Sequence, residues 1–89
     1  MAALPGEDLV RKGISDLARG EETVEALLVS IGAPRLSRAG LEIRGAILSP
    51  ERRLYGLLAR TGADSAHSRY NALIRRLVSF ERAAECAVR

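Results

Sequence analysis

DSAHSRYNALIRRLVSFERAAECAVR, residues 64–89, keeps one helical period longer than any other part of the chain. Its apolar residues recur at alternating spacings of four and three, which places them along one face of an α-helix. These residues are Ala66, Tyr70, Leu73, Leu77, Phe80, Ala84 and Ala87. Asp64 is suited to cap the first turn, because its carboxylate accepts hydrogen bonds from free backbone N–H groups. We therefore predict that the last helix, capped by Asp64, is the longest and runs to the end of the sequence.

The middle of this apolar face is broader than a two-stranded coiled coil requires, because Ile74 and Val78 widen it. We therefore expect the middle of the last helix to pack on other helices of its own chain. Near its end the face consists of Ala84 and Ala87, whose small side chains either allow a neighbour to approach closely or leave this end of the helix frayed.

A first helix is predicted over 7–19. Glu7 and Asp8 favour its start, because acidic side chains stabilise the positive end of the helix dipole, and Gly20 favours its end. Gly13 lies on the apolar face of this segment, where glycine costs about 1 kcal/mol relative to alanine. That cost would be offset if another helix approached closely at Gly13.

A second helix is predicted over 21–31, because its apolar residues follow the i, i+3, i+4, i+7 spacing of an amphipathic helix. They are Val24, Leu27, Leu28 and Ile31. Gly32 is predicted to stop this helix. Pro34 is then expected to begin a short helical turn that ends at Ala39, since the first residue of a helix needs no N–H.

A connecting loop is predicted over 41–48, where the apolar residues match neither the helical nor the strand period. Ser49 and Pro50 predict the start of the next main helix, with a capping hydroxyl followed by proline at the first helical position. This helix is expected to end at Arg60. Residues 61–63 then form the turn before the last helix.

The expected architecture is an all-α bundle of four main helices plus one short helical turn, in a single domain over 1–89. A chain of 89 residues leaves no room for a second core. Tyr55, Tyr70 and Phe80 are its only aromatic residues, so Leu, Ile, Val and Ala must form the core, which suits helix packing. A chain this short buries only about 60% of its unfolded surface, so we expect association to add stability.

Cysteine usage and hydropathy predict a cytoplasmic location. Cys86 is the only cysteine, so no disulfide can form within the chain. Residues 1–9 lack the basic and apolar regions of a secretory signal. The longest nearly apolar run, 26–33, is far shorter than the roughly 20 residues that cross a bilayer, so we expect no membrane span.

Positive charge is concentrated in the second half of the chain, although the net charge is only +3. Residues 1–45 hold six basic and seven acidic side chains, whereas residues 46–89 hold eight basic and four acidic ones. Such asymmetry is typical of a protein with an anionic partner. Thirteen of the fourteen basic residues are arginines, however, which a GC-rich genome explains as readily as phosphate recognition.

The residues needed for catalysis are missing, so we expect no enzyme, no cofactor and no metal site. One histidine and one cysteine are too few for a zinc site. His67 is near Ser65 and Ser68 in the sequence, but helical residues one or two apart point in different directions. No glycine-rich phosphate-binding motif occurs.

The first functional hypothesis is association with a protein, as a homodimer or as an adaptor for a partner. Its basis is the long apolar face of the last helix together with the small core available to a monomer. The apolar centre of the interface is predicted at Tyr70, Leu73, Leu77 and Phe80. The alternative is that this face only serves the core of its own chain.

The second hypothesis is DNA binding by a helix-turn-helix, whose second helix begins near residue 64. One outward face of that helix is predicted to meet base edges through His67, Ser68, Asn71 and Arg75. Asn71 matches adenine and Arg75 matches guanine in hydrogen-bonding geometry. The candidate phosphate contacts are Arg52, Arg53, Arg60, Arg69 and Arg76. The alternative is an ordinary helical hairpin with a polar outer face.

A narrower hypothesis involves only a small anion at the start of the last helix. Free backbone N–H groups there, with Ser65, Ser68 and Arg69, can bind a phosphate or carboxylate. Asp64, as the cap, would compete for the same donors.

Overall fold

The computed structural model describes residues 4–87 of the protein. Helices make up 77% of these residues, and no strand is present among them, which confirms the all-α class. The helices are α1 (Glu7–Ala18), α2 (Val24–Arg38), α3 (Pro50–Gly62) and α4 (Ala66–Ala87), with a 3-10 turn at Ala63–Ser65. In the part of the chain that the structure describes, no helix has both the length and the apolar character needed to cross a bilayer.

The predicted four-helix bundle with one extra turn is wrong. The predicted extra turn, 34–39, belongs almost entirely to α2, which continues through Gly32 and Pro34. In addition, α3, the 3-10 turn and α4 follow one another without an intervening loop, so the described residues form three continuous helical stretches. Local stop signals are weak compared with tertiary packing, and Leu36, beyond the proline, is fully buried.

The centre of the fold is α2, on which α1, α3 and α4 all pack. Five consecutive residues, 26–30, are buried, which requires neighbours on every side of the helix. The buried apolar residues are Val10, Leu17, Ala26, Leu27, Leu28, Val29, Leu36, Leu54, Leu58, Ala66, Leu77, Phe80 and Ala84. The core is therefore made of aliphatic side chains and the Phe80 ring, grouped around one helix.

Two glycines allow neighbouring helices to approach α2 closely. A side chain at Gly13 of α1 would collide with the Glu25 carbonyl and the Val29 side chain of α2, so α2 approaches closely there, which is the condition under which the cost of Gly13 is offset. Gly32, predicted as a helix stop, instead faces α4. A Cβ atom there would lie 2.7 Å from Glu81 Oε2 and 3.0 Å from Leu77 Cδ1.

A buried carboxylate joins the end of α1 to the start of α2. Asp16 is fully buried and accepts hydrogen bonds from Thr23 Oγ1 at 2.6 Å and from Lys12 Nζ at 2.8 Å. Arg19 Nη2 donates a third bond at 2.7 Å. Thr23 is also the N-cap of α2, because its Oγ1 accepts from Ala26 N at 3.1 Å. Asp16 thus fixes the cap that starts the central helix.

The loop predicted over 41–48 is confirmed, and a buried serine anchors it. Ser30 Oγ donates to Ala26 O at 2.9 Å and accepts from Ile47 N at 3.0 Å. Pro50 begins α3 as predicted, but Ser49 has left-handed backbone angles and makes no side-chain cap. Its predicted capping role is therefore wrong.

The long last helix is confirmed as uninterrupted from Ala66 to Ala87, while its predicted start is corrected. Asp64 lies inside the 3-10 turn and does not occupy the position just before α4, because α3 extends to Gly62 and the turn follows directly. The predicted continuation through Val88 and Arg89 lies outside the described residues.

Leu77→Ala is expected to lower the free energy of unfolding by about 2–5 kcal/mol, because Leu77 is only 3% exposed and its removal leaves a cavity beside Gly32. Urea denaturation followed by circular dichroism measures this change. Leu48→Ala is the matched control, because Leu48 is 85% exposed and its truncation should change stability by no more than about 0.5 kcal/mol. Equal effects of the two substitutions would contradict the assignment of Leu77 to the core.

Asp16→Asn is expected to lower the free energy of unfolding at neutral pH. It should also make this free energy depend less steeply on pH in acid. The hydrogen bonds from Lys12 and Thr23 hold the pKa of Asp16 below its ordinary 3.8. Asp16 therefore contributes stability above pH 3.8, and this contribution is lost as the pH falls through the folded-state pKa.

The measurement for Asp16 is acid unfolding, followed by circular dichroism from neutral pH down to about pH 2. Asp8→Asn provides the control, since Asp8 is an acidic residue of the same helix with a largely exposed side chain. If Asp16→Asn unfolded in acid with the same pH dependence as the unsubstituted chain, the stabilising role of the Asp16 carboxylate would be ruled out.

Candidate functional site

An apolar groove of about 500 Å³ lies between α1 and the C-terminal half of α4. It exists because α1 packs tightly on α2 through Gly13 but meets α4 mainly through its first residues. There Gly6 lies against the Arg76 carbonyl and Phe80 Cβ. The space further along the two helices is lined mainly by Leu4, Val10, Ile14, Leu41, Phe80 and Ala84. Its volume falls in the range of known ligand-binding pockets.

The charged groups at the edge of the groove neutralise each other. Arg11 Nε donates to Glu7 Oε2 at 2.7 Å, and both residues line the groove. The Arg11 hydrogen bond, with a second from the Leu4 backbone N–H, lowers the pKa of Glu7 from 4.5. Ser15 adds a neutral hydroxyl. The groove therefore offers apolar surface without net charge, which favours apolar side chains over an anionic ligand.

The four residues predicted as the centre of an interface differ in how deeply the fold buries them. Leu77 and Phe80 are 3% and 4% exposed and belong to the core of their own chain, although the edge of Phe80 lines the groove. Tyr70 and Leu73 are half-buried. The Tyr70 ring packs against Tyr55 of α3 with the ring centroids 5.8 Å apart, and burial together with the charge of Glu51 raises the pKa of Tyr70. An interface at these residues stays a prediction.

Residue spacing indicates part of the groove lining. Val10 and Ile14 follow helical spacing in the first predicted helix, and Ala84 and Ala87 are predicted on a part of the last helix that a neighbour can approach closely. The structure places these four residues around one space. Leu41 gave no signal, because it lies in the loop, where residue spacing carries little information.

The residues predicted to meet DNA bases lie on an outward part of α4. His67, Ser68 and Arg75 are exposed and Asn71 is half-buried. Asn71 Nδ2 lies 3.2 Å from His67 Nε2, so these two side chains contact each other. A base contact by Asn71 would have to replace this contact. Base recognition by these residues stays a prediction.

The arginines predicted to contact phosphates fall into two groups. Arg53 is paired with Glu22 at 2.9 Å, and Arg76 is paired with Asp8 at 3.2 Å. Arg69 donates to Thr61 Oγ1 at 2.8 Å. Arg52 and Arg60 are exposed, and within the described residues neither is in an ion pair. Arg52 and Arg60 are thus better placed for an anion than Arg53 and Arg76.

The groups predicted to bind a small anion are partly engaged within the chain. Ser65 Oγ donates to the Gly62 carbonyl at 3.2 Å, and Arg69 donates to Thr61 as described. Ser68 is exposed. Anion binding at the start of α4 stays a prediction. Among residues 4–87, no three His, Cys, Asp or Glu side chains lie close enough together to hold a metal ion.

A comparison of the chain with protein-family models, curated proteins and solved structures finds no significant match.

Proposed function

We propose that this protein acts by non-catalytic association of two copies, in which α4 of one copy lies in the groove between α1 and α4 of the other. The observation that carries the proposal is the groove itself, because its walls are apolar and the charges at its edge are internally paired. A groove of this chemistry suits the apolar face of a helix.

The exposed surface area of the chain supports a second copy as the partner that occupies the groove. The chain exposes 5704 Å², whereas a compact monomer of 9.6 kDa is expected to expose about 5100 Å². The excess of about 600 Å² approaches the roughly 800 Å² that each partner buries in a standard interface.

The residues at the end of α4 support the proposal that α4 is the helix that lies in the groove of the other copy. Ala84 and Ala87 line the groove, and their small side chains allow a second helix axis to come close. An antiparallel pair of α4 helices would place the alanines of each copy opposite those of the other. A two-fold axis would make the two contacts identical.

Ile14→Glu is expected to weaken dimerisation at least about a hundredfold, because it places an unpaired carboxylate in an apolar interface. Sedimentation velocity across a concentration series measures the dissociation constant. Leu48→Glu is the matched control, since Leu48 is exposed and does not line the groove, and it should dimerise like the unsubstituted chain.

Circular dichroism of both variants verifies that α-helix content is retained. An unsubstituted chain that sediments as a monomer at every concentration would refute the proposal, as would equal weakening by Ile14→Glu and Leu48→Glu.

A second candidate function is DNA binding, and the observation that favours it is a set of exposed arginines that form no ion pair with another residue of 4–87. Arg52 and Arg60 lie on α3, and Arg75 lies on α4. These side chains keep their charge for phosphate groups, in contrast to Arg53 beside Glu22. None of the three lines the groove.

DNA binding predicts salt-dependent affinity for mixed duplexes in a fluorescence-anisotropy titration. Arg60→Gln should reduce the slope of log affinity against log salt by about 0.9, the value for one lost phosphate contact. Arg53→Gln should leave the slope nearly unchanged, because its guanidinium is paired with Glu22. Absence of salt-sensitive binding would eliminate this candidate.

A further inference from the structure

A carboxylate is buried in the contact between α2 and α4. Glu81 is only 5% exposed and lies between Leu77 and Ala84 on the apolar face of α4, a face on which only apolar residues were predicted. Its nearest cation is Arg35 of α2, whose Nη1 is 3.5 Å from Glu81 Oε1. This separation is at the outer limit of a hydrogen bond, so Glu81 is weakly compensated.

Arg35 is committed to a different carboxylate. Its Nε and Nη2 both lie 2.6 Å from Glu85 Oε1, one helical turn beyond Glu81. Two carboxylates therefore share one guanidinium, and the half-exposed Glu85 has the stronger contact. A buried carboxylate without strong compensation is costly in its ionised form.

The charged groups that face Glu81 determine its protonation. Burial raises the pKa of Glu81 above its ordinary 4.5, Arg35 from α2 lowers it, and Glu85 on the same face of α4 raises it. The outcome is a raised pKa, which agrees with the weak geometry of the Arg35 contact.

The carboxylate rests directly on the backbone of the central helix. Gly32 has no side chain, and a Cβ atom there would lie 2.7 Å from Glu81 Oε2. Leu77 packs against the same glycine from one turn earlier. The next residues of α4 include Phe80 and Ala84, which line the groove. The contact at Gly32 thus positions the half of α4 that forms one groove wall.

We infer that Glu81 makes the packing of the second half of α4 on α2 dependent on protonation. In its neutral form the Glu81 side chain stays against Gly32 and the helix from Leu77 onward is held firmly. In its ionised form the Glu81 carboxylate moves away from Gly32 toward solvent. The second half of α4 then separates from α2 more often. The inference does not depend on association of two copies.

The direction of the pH dependence follows from linkage. A carboxyl whose folded-state pKa is raised contributes stability that is fully present below pH 4.5 and is lost as the pH rises through the folded-state value. Asp16 has the opposite behaviour, and its contribution changes only below pH 3.8. The two carboxylates therefore act in separate pH windows.

Hydrogen exchange, measured by mass spectrometry over a pH series and corrected for intrinsic exchange rates, tests the inference. Protection of 77–87 should fall as the pH rises through the raised folded-state pKa of Glu81, because the ionised carboxylate loses its contact with Gly32. Protection of 66–73 serves as the internal reference and should stay constant. The Glu81→Gln variant should fold, and its protection of 77–87 should stay high at every pH, without the pH-dependent fall.

Glu85→Gln is the matched control, because it removes a like charge and frees Arg35 for Glu81. In this variant the transition should persist but move to lower pH. Gly32→Ala should lower the protection of 77–87 at every pH, because its Cβ atom displaces Glu81.

Three outcomes would overturn the inference: a transition that persists unchanged in Glu81→Gln, constant protection of 77–87 in the unsubstituted chain, or a Glu81→Gln variant that is less stable at neutral pH.

Discussion

The close contact of α1 and α4 with the central helix α2 is the constraint on which the rest of the structure depends. Gly13 and Gly32 remove the side chains that would keep the helix backbones apart, one on each side of α2. Their use is costly for an isolated helix, since glycine disfavours helix formation by about 1 kcal/mol. Burial of 26–30 on all sides of α2 offsets this cost. Because both α1 and α4 are drawn onto α2, they leave a groove between themselves.

Two buried carboxylates at these contacts have opposite electrostatic environments. Asp16 receives hydrogen bonds from Lys12, Thr23 and Arg19, so its ionised form is favoured. Burial raises the pKa of Glu81, and its one guanidinium partner, Arg35 at 3.5 Å, only partly opposes this. The contact of α1 with α2 is therefore strongest when its carboxylate is charged. The contact of α4 with α2 is strongest when its carboxylate is neutral.

The close approach at Gly13 depends on where α2 packs, which spacing within α1 does not specify. Sequence periodicity was sufficient for the long last helix, because that element follows from spacing within one segment. It failed at Gly32 and Pro34, where local stop signals were overridden by burial of Leu36 on the next turn of α2. It also missed Glu81, because a carboxylate at a core position contradicts the apolar pattern that defines the face. Only some of the residues that line the groove could be predicted. The groove itself depends on how α1 and α4 pack around α2, and residue spacing does not specify that packing.

The two candidate functions use different parts of the surface, and this separation bears on how they would combine. The groove is lined by α1, α4 and the segment after α2, whereas the exposed Arg52 and Arg60 lie on α3. A dimer formed through the groove would leave both copies of these arginines exposed and relate them by a two-fold axis. Helix-turn-helix proteins commonly present paired basic surfaces to DNA in this symmetric way. Association through the groove is therefore compatible with DNA binding, and it would double the positive charge that a single chain offers to phosphate groups.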